Sequence, residues 1–300
     1  MQRWLGTRDF VCARATSGSS TEVYRVETGS SIAWLRLAED PGENRIVEIR
    51  VHELLRQRGV HVPEILVFEV HPPELDRSAA LTSHIPGIPL RECHDPVTAR
   101  KVAIAAGREL AVINALPVTG FGWIDRVSDE NPEEIIAEHP ARAGWTAEFF
   151  TAIKEFAPSG FIASQRIPQL AACIQTWAGD ATETRSFLAH GDFDTSHIYY
   201  DPENGAYTGI IDFGEGRGTH AAYDAGHLLL HDGESNSLPI LPALLEGYGD
   251  PDDQFRYQML LHAIAIATRQ LAIFLNRPNP VYRHWLAHRL NTLLDDPLVS

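Results

Sequence analysis

The residues with the most chemical content lie in one segment, LAHGDFDTSHIYYDPENGAYTGIIDFGE (188–215). It holds His-Gly-Asp at 190–192, His197 five residues after Asp192, and Ile-Ile-Asp-Phe-Gly at 210–214. Phosphoryl transfer needs a carboxylate to orient and deprotonate an attacking hydroxyl. It also needs hard oxygen ligands for a Mg²⁺ ion that bridges the nucleotide phosphates. Asp192 and Asp212, 20 residues apart, supply a carboxylate for each task. Either motif alone could be chance, a common tripeptide or an aspartate that ends a strand; both in this order form a more specific signal.

These groups must be held at the floor of a cleft. HIYY (197–200) and YTGII (207–211) are predicted as two short strands joined by a turn, which brings Asp192 and Asp212 to one end of a hairpin. Upstream, VCARA (11–15), EVYRV (22–26), IAWLRL (32–37), EILVFEV (64–70) and a segment ending ALTSHI (80–85) read as strands. One helix is predicted at 46–58, where Val47, Val51, Leu54 and Leu55 share a face and Gly59 stops it. PGIP then forms a rigid connector. Beyond residue 90, helical periodicity fits 97–114, 146–156, 167–178, 239–248, 253–275 and 281–294. The expected architecture is α+β and bilobal: a small antiparallel-sheet lobe over 1–84 and a larger, mainly helical lobe over 85–300, with the ligand cleft between them.

At these motifs the chain resembles the aminoglycoside phosphotransferase family, small-molecule relatives of the protein kinases, and the resemblance extends over nearly the whole length. It implies a protein-kinase-like fold, ATP (GTP possible) and Mg²⁺ as cofactors, and a small-molecule substrate. HGDFDTSH resembles the family's catalytic loop, with Asp192 and His190, and IIDFGE its metal-binding strand end, with Asp212. ATSGSSTEVYRV resembles the loop over the phosphates, with Gly18, Ser19 and Ser20 at the turn, where small residues admit backbone N–H groups to phosphate. Arg36 corresponds to the basic residue of the third strand and Glu48 to the helix glutamate that pairs with it. Glu48 lies about 100° from Val47 at the edge of the apolar face, so it can turn toward the sheet. Thr82 to Ile85, with Ser83 and His84, resemble the hinge that hydrogen-bonds adenine. Asp224 in THAAYDAGHL resembles an aspartate that braces the catalytic loop.

Two positions depart from the family pattern. Arg36 stands where Lys is usual, and a guanidinium can still hold phosphates, with altered geometry. His197 stands where Asn is usual as a metal ligand, and imidazole suits Mg²⁺ less well than softer metals. The macrolide-phosphorylating branch is similar to this chain in carrying His there. A nucleotide-binding protein with little transferase activity is therefore the alternative, as is a kinase for choline, homoserine or a sugar. A third reading takes His220, Asp224, His227 and His231, at helical spacing, as a metal site of a hydrolase, although no H-E-x-x-H is present. No Walker A sequence and no G-x-S-x-G occur.

Charge narrows the partners. Twenty-five Lys and Arg against 40 Asp and Glu give a formal charge of −15, which repels nucleic acid and anionic lipid and favours cationic ligands. Neither nucleic acid nor a membrane is an expected partner, and the protein is expected as a monomer or homodimer. Between 190 and 255 there are 13 acidic residues and one basic residue, Arg217. Asp232, Glu234, Glu246, Asp250, Asp252 and Asp253 form either a wall for an amine-bearing antibiotic or a merely solvated face. Trp145, Phe149, Phe150 and Trp177 either line a pocket or pack between helices, the latter being the simpler expectation. Three separated cysteines without C-x-x-C and the lack of an apolar leader fit a reducing, cytoplasmic setting. The most apolar stretch, 260–275, is interrupted by His262 and Arg269 and is shorter than the ~20 residues of a membrane span.

Overall fold

Alternation along SIAWLRL decides the first sheet. Ala33, Leu35 and Leu37 fall on one face and are buried, which leaves Trp34 and Arg36 for the other. The computed structural model describes residues 2–15, 22–29, 31–73, 75–126, 134–179, 181–234 and 237–299. Gly18, Ser19 and Ser20 lie outside the described residues. After a one-turn helix, α1 (Gln2–Leu5), come β1 (Val11–Arg14), β2 (Glu22–Thr28) and β3 (Ser31–Leu37). Helix α2 (Ile46–Gln57) follows, then β4 (Ile65–Glu69) and β5 (Ala79–Ser83). The strands form an antiparallel sheet in the order β1-β2-β3-β5-β4. Val26, Ala79 and Leu81 join the buried face of β3, against Trp4, Phe10, Tyr24 and Val67. Helix α2 buries Val47, Val51 and Leu55, with Glu48 and His52 beside them.

The connector then passes so close to the chain ahead that a Cβ at Gly87 (φ 102) would overlap the carbonyl oxygen of Tyr200. Next come β6 (Ile88–Pro89), α3 (Pro96–Ile113), β7 (Pro117–Thr119), β8 (Phe121–Ile124), β9 (Ile135–His139), α4 (Arg142–Phe156) and α5 (Ile167–Ala178). The remainder is β10 (Arg185–Ala189), β11 (Ile198–Tyr200), β12 (Tyr207–Ile210), β13 (Arg217–Thr219), α6 (Tyr223–His231), α7 (Leu241–Tyr248), α8 (Asp253–Leu275) and α9 (Pro280–Leu294). The helices follow the periodic segments of the sequence; α5 and α8 have the expected limits. The strands do not stop at the expected hairpin. β11 and β12 form it, with β6 as a third strand, but β10-β13-β8-β9-β7 close a small barrel that was not anticipated.

Helices α3 and α7 approach closely because Gly107 faces the Leu244 carbonyl and Gly247 faces that of Ile104, with no room for side chains. Trp145, Phe149 and Trp177 pack among themselves, with ring centroids 4.3–5.5 Å apart, and belong to the helical core. Helix α8 has 23 residues and is long and apolar enough to cross a membrane by composition, yet 67% of its most apolar window is buried inside the protein.

Candidate active site

The loop between β10 and β11 carries Asp192, and its course is fixed by buried main-chain hydrogen bonds. Gly191 has φ 91, and a Cβ there would overlap the carbonyl oxygen of Glu215. Asp224, fully buried in the first turn of α6, accepts from the N–H groups of His190 (2.8 Å) and Gly191 (2.9 Å). Asn114, which caps the C-terminus of α3, donates to the same carboxylate at 2.8 Å and to the Leu188 carbonyl at 2.9 Å. Nothing in the sequence spacing singled out Asn114, because its partners are 74 and 110 residues away.

His190 is fully buried and both of its ring nitrogens are used. Nε2 lies 2.8 Å from the Ile211 carbonyl, so it donates, and Nδ1 accepts from the Asp192 N–H at 3.3 Å. That pattern requires the neutral ring. Burial lowers its pKa and agrees with this. His190 thus ties the Asp192 loop to the end of β12 rather than facing the cleft.

Asp212 follows β12 in a left-handed conformation (φ 69, ψ 69), uncommon for a residue with a side chain. The turn aims its half-exposed carboxylate across the cleft. Oδ1 accepts from Arg36 at 3.0 Å, and Oδ2 lies 3.9 Å from His197 Nε2. The other ring nitrogen of His197, Nδ1, donates to the main-chain carbonyl of Asp192 at 2.7 Å. A proton on Nδ1 leaves the Nε2 lone pair turned to Asp212. Burial pushes the Asp212 carboxyl up, but the Arg36 guanidinium outweighs it and holds it below the usual range.

Arg36 reaches the cleft from β3 and bridges two carboxylates, Asp212 and, at 3.2 Å, Glu48 of α2. Glu48 also receives Arg45 at 3.2 Å. Burial alone would raise its pKa; Arg36, Arg45 and then His52 bring it below the ordinary value. The structure therefore links Glu48, Arg36 and Asp212 through ion pairs and sets His197, bonded to the Asp192 main chain, 3.9 Å from Asp212. At the hinge, the Ser83 N–H donates to the Glu64 carbonyl at 2.8 Å, and its hydroxyl accepts from the Glu64 N–H at 2.8 Å. His84 Nδ1 accepts from Trp34 Nε1 at 3.2 Å, and Ile85 is buried.

The four residues at metal-ligand spacing diverge. His220 precedes α6 and accepts from the Ala222 N–H at 3.1 Å, Asp224 binds the loop, and His231 pairs with Glu234 at 2.6 Å. His227 Nε2 lies 3.2 Å from Asp192 Oδ1. Among the described residues no group of three or more His, Cys, Asp and Glu side chains is arranged to hold a metal ion. Much of the acidic wall is likewise occupied: Asp232 accepts from the N–H groups of Ile240 and Leu241, and Asp252 caps α8. Glu246 pairs with Arg100 and Asp250 with Arg256.

Comparison with known proteins places this geometry in context. The model of the phosphotransferase enzyme family matches residues 11–260. Among solved structures, aminoglycoside phosphotransferase APH(4)-Ia superposes with a TM-score of 0.72 at 15% identity, covering 98% of this chain and 97% of that one. The GDP and kanamycin complex of APH(2'')-IIia gives 0.67 at 14% identity, covering 97% and 95%. Macrolide 2'-phosphotransferase MphH from Brachybacterium faecium gives 0.57 at 16% identity, covering 94% and 92%. No curated protein matches the chain in sequence.

Proposed function

The chain belongs to the phosphotransferase enzyme family and is a small-molecule kinase of bilobal, protein-kinase-like fold; from that premise we propose that it transfers the γ-phosphoryl group of ATP or GTP to a hydroxyl of an amine-bearing antibiotic of the aminoglycoside or macrolide type. The observation that carries this reading is the chain of contacts from Glu48 through Arg36, Asp212 and His197 to Asp192. It supports the reading by bringing together Arg36 for the phosphates, Asp212 and His197 for a metal ion and Asp192 for the acceptor hydroxyl. The fold neighbours support the ligands: thermostable mutants of APH(4)-Ia were solved in ternary complexes with AMP-PNP or ADP and hygromycin B, and APH(2'')-IIia with GDP and kanamycin.

Asp192 orients the acceptor hydroxyl and takes its proton, while the His84–Ile85 main chain meets the purine edge. His190 and Asp224 position the loop. The donor set fits a divalent cation: Oδ2 of Asp212 is the oxygen that Arg36 leaves open, and the Nε2 lone pair of His197 faces it. Mg²⁺ held there would neutralise charge on the β- and γ-phosphates. One imidazole nitrogen in place of an oxygen makes the pair more tolerant of Mn²⁺ than an all-oxygen site would be.

The test is nucleoside diphosphate release in the presence of Mg²⁺ and ATP or GTP, with kanamycin, hygromycin B, erythromycin, choline and simple sugars as acceptors. Acceptor-dependent release is expected with at least one antibiotic, and Asp192→Ala should lower it by about 10²–10⁴-fold with nucleotide affinity nearly unchanged. Release driven only by choline or a sugar would replace the antibiotic as substrate. Full turnover in Asp192→Ala would remove the mechanism.

A further inference from the structure

Helix α6 presents two groups to the Asp192 loop from one face. Asp224 and His227 are separated by three positions, the spacing at which helical side chains are neighbours. Asp224 holds the main chain of residues 190 and 191; His227, one turn on, holds the carboxylate of residue 192. His227 is 3% exposed, and both ring nitrogens meet acceptors that have no hydrogen to give. Nδ1 lies 3.1 Å from the Phe193 carbonyl and Nε2 lies 3.2 Å from Asp192 Oδ1. With a carbonyl beside one nitrogen and a carboxylate at ion-pair distance from the other, the site favours the imidazolium over the neutral ring.

Resting on the proposed phosphoryl transfer, we propose that His227 is the positioning residue of Asp192: its Nε2–H fixes Oδ1 and leaves Oδ2 to take the proton of the acceptor hydroxyl. In the transfer step the acceptor oxygen forms a bond to the γ-phosphorus. The bond from that phosphorus to the β–γ bridging oxygen breaks, and its electron pair leaves with the nucleoside diphosphate. The hydroxyl proton passes to Asp192 Oδ2. A carboxylate free to rotate would meet the hydroxyl in the required orientation only part of the time, so the buried imidazolium supplies preorganisation.

The surroundings of the ring support a charge at His227 and not at its neighbour. Burial lowers the pKa of His227, but the hydrogen bond and charge of Asp192, then Asp194 and the Phe193 carbonyl, bring it above its ordinary value. His231, stacked on it with ring centroids 4.6 Å apart, is pushed down by burial despite Glu234, with His227 adding to the fall. From α9, Trp285 stacks on His231, and the pKa of the Tyr282 hydroxyl is raised by burial and by Glu234, Asp192 and Asp194. From α8, His262 packs beside Gly226 but turns its Nδ1 to the Trp177 N–H at 2.8 Å.

Two measurements on the full chain test this. In long-range ¹H–¹⁵N spectra, with His227→Asn to identify the ring, His227 should remain doubly protonated above pH 6.5, and Asp192→Asn should shift its titration down. A neutral His227 ring at pH 7 would overturn the proposal. In turnover with Mg-ATP and kanamycin, hygromycin B or erythromycin, His227→Ala should lower kcat by up to ~10²-fold with KM for ATP unchanged. His227→Gln places an amide N–H where Nε2–H stood, so it should recover most of that loss and abolish the fall in kcat at alkaline pH that accompanies deprotonation of His227. Wild-type kcat in His227→Ala, or an alkaline limb that persists in His227→Gln, would assign the histidine to packing alone. If the wild-type chain phosphorylates none of these acceptors, the substrate reading fails, and the spectra alone decide the role of His227.

Discussion

On one side of the cleft, Asp224 binds two main-chain N–H groups and the Asn114 amide, and His190 spans from its own loop to the Ile211 carbonyl. On the other, Arg36 is held by side chains alone, Glu48 behind it and Asp212 in front. The first arrangement ties chain to chain in the interior and is set when the protein folds. The second is a pair of ionic contacts, one of them to a half-exposed carboxylate whose place beside the guanidinium a phosphate could take. On the proposed function this contrast is a division of labour, with an Asp192 loop that arrives preformed and an Arg36 side that re-pairs when nucleotide enters. It also explains why Asp212 can serve both sides: Oδ1 answers to Arg36, Oδ2 to His197.

Breaking the loop side should cost the most. Asp224→Ala would leave the N–H groups of His190 and Gly191, together with an Asn114 amide, without their acceptor in the interior. Buried donors stripped of their partners cost about 1–3 kcal/mol each, so a fall in unfolding free energy of at least ~2 kcal/mol is expected by urea titration. Activity should fall with it, because the same bonds place Asp192. An unchanged midpoint would mean that the loop holds its shape without α6, and the division drawn above would collapse.

The nucleotide side should respond in the opposite way. Arg36→Ala leaves Glu48 still paired with Arg45, so the fold loses little. ATP binding, measured by calorimetry with Mg²⁺, should weaken by roughly 10- to 100-fold, since a hydrogen bond to a charged group is worth about 1.5–3 kcal/mol. Arg36→Lys should fall between, because an ammonium keeps the charge but not the forked geometry that spans Glu48 and Asp212. A large loss of stability with unchanged ATP affinity would reverse the comparison.

The sequence makes the order of the site legible because each element carries its own local signal. Arg36 alternates out of an apolar strand, Glu48 edges a helical face, and Asp192 and Asp212 bracket a hairpin. The small barrel is not legible. β7, β8, β10 and β13 are three to five residues long, too short to show a period of two, and β7 pairs with β10 some 70 residues away. The histidines of α6 show the converse limit. Their spacing puts Asp224 and His227 on one face, but whether that face meets a metal or the Asp192 loop depends on contacts more than 30 positions away in the chain. The acidic run was misleading as a charge count, since Asp232 and Asp252 serve helix N-termini and Glu246 and Asp250 pair with arginines.

The smallest effect sharpens the comparison at its midpoint, where the two sides meet on Asp212. His197→Asn would replace a nitrogen lone pair by an amide oxygen, a harder donor toward Mg²⁺, and would give up the Nδ1 bond to the Asp192 carbonyl. The first change favours Mg²⁺, while the second loosens the loop beside the base. Because Asp224, His190 and His227 all remain, the loop should tolerate that loss. The ratio of turnover with Mg²⁺ to turnover with Mn²⁺ should therefore rise several-fold, with little change in stability. If the ratio stays fixed while turnover falls under both metals, His197 acts by bracing Asp192 and belongs wholly to the preformed side. If turnover rises steeply with Mg²⁺, the wild-type imidazole is what limits transfer, and the site is tuned for binding nucleotide more than for using it.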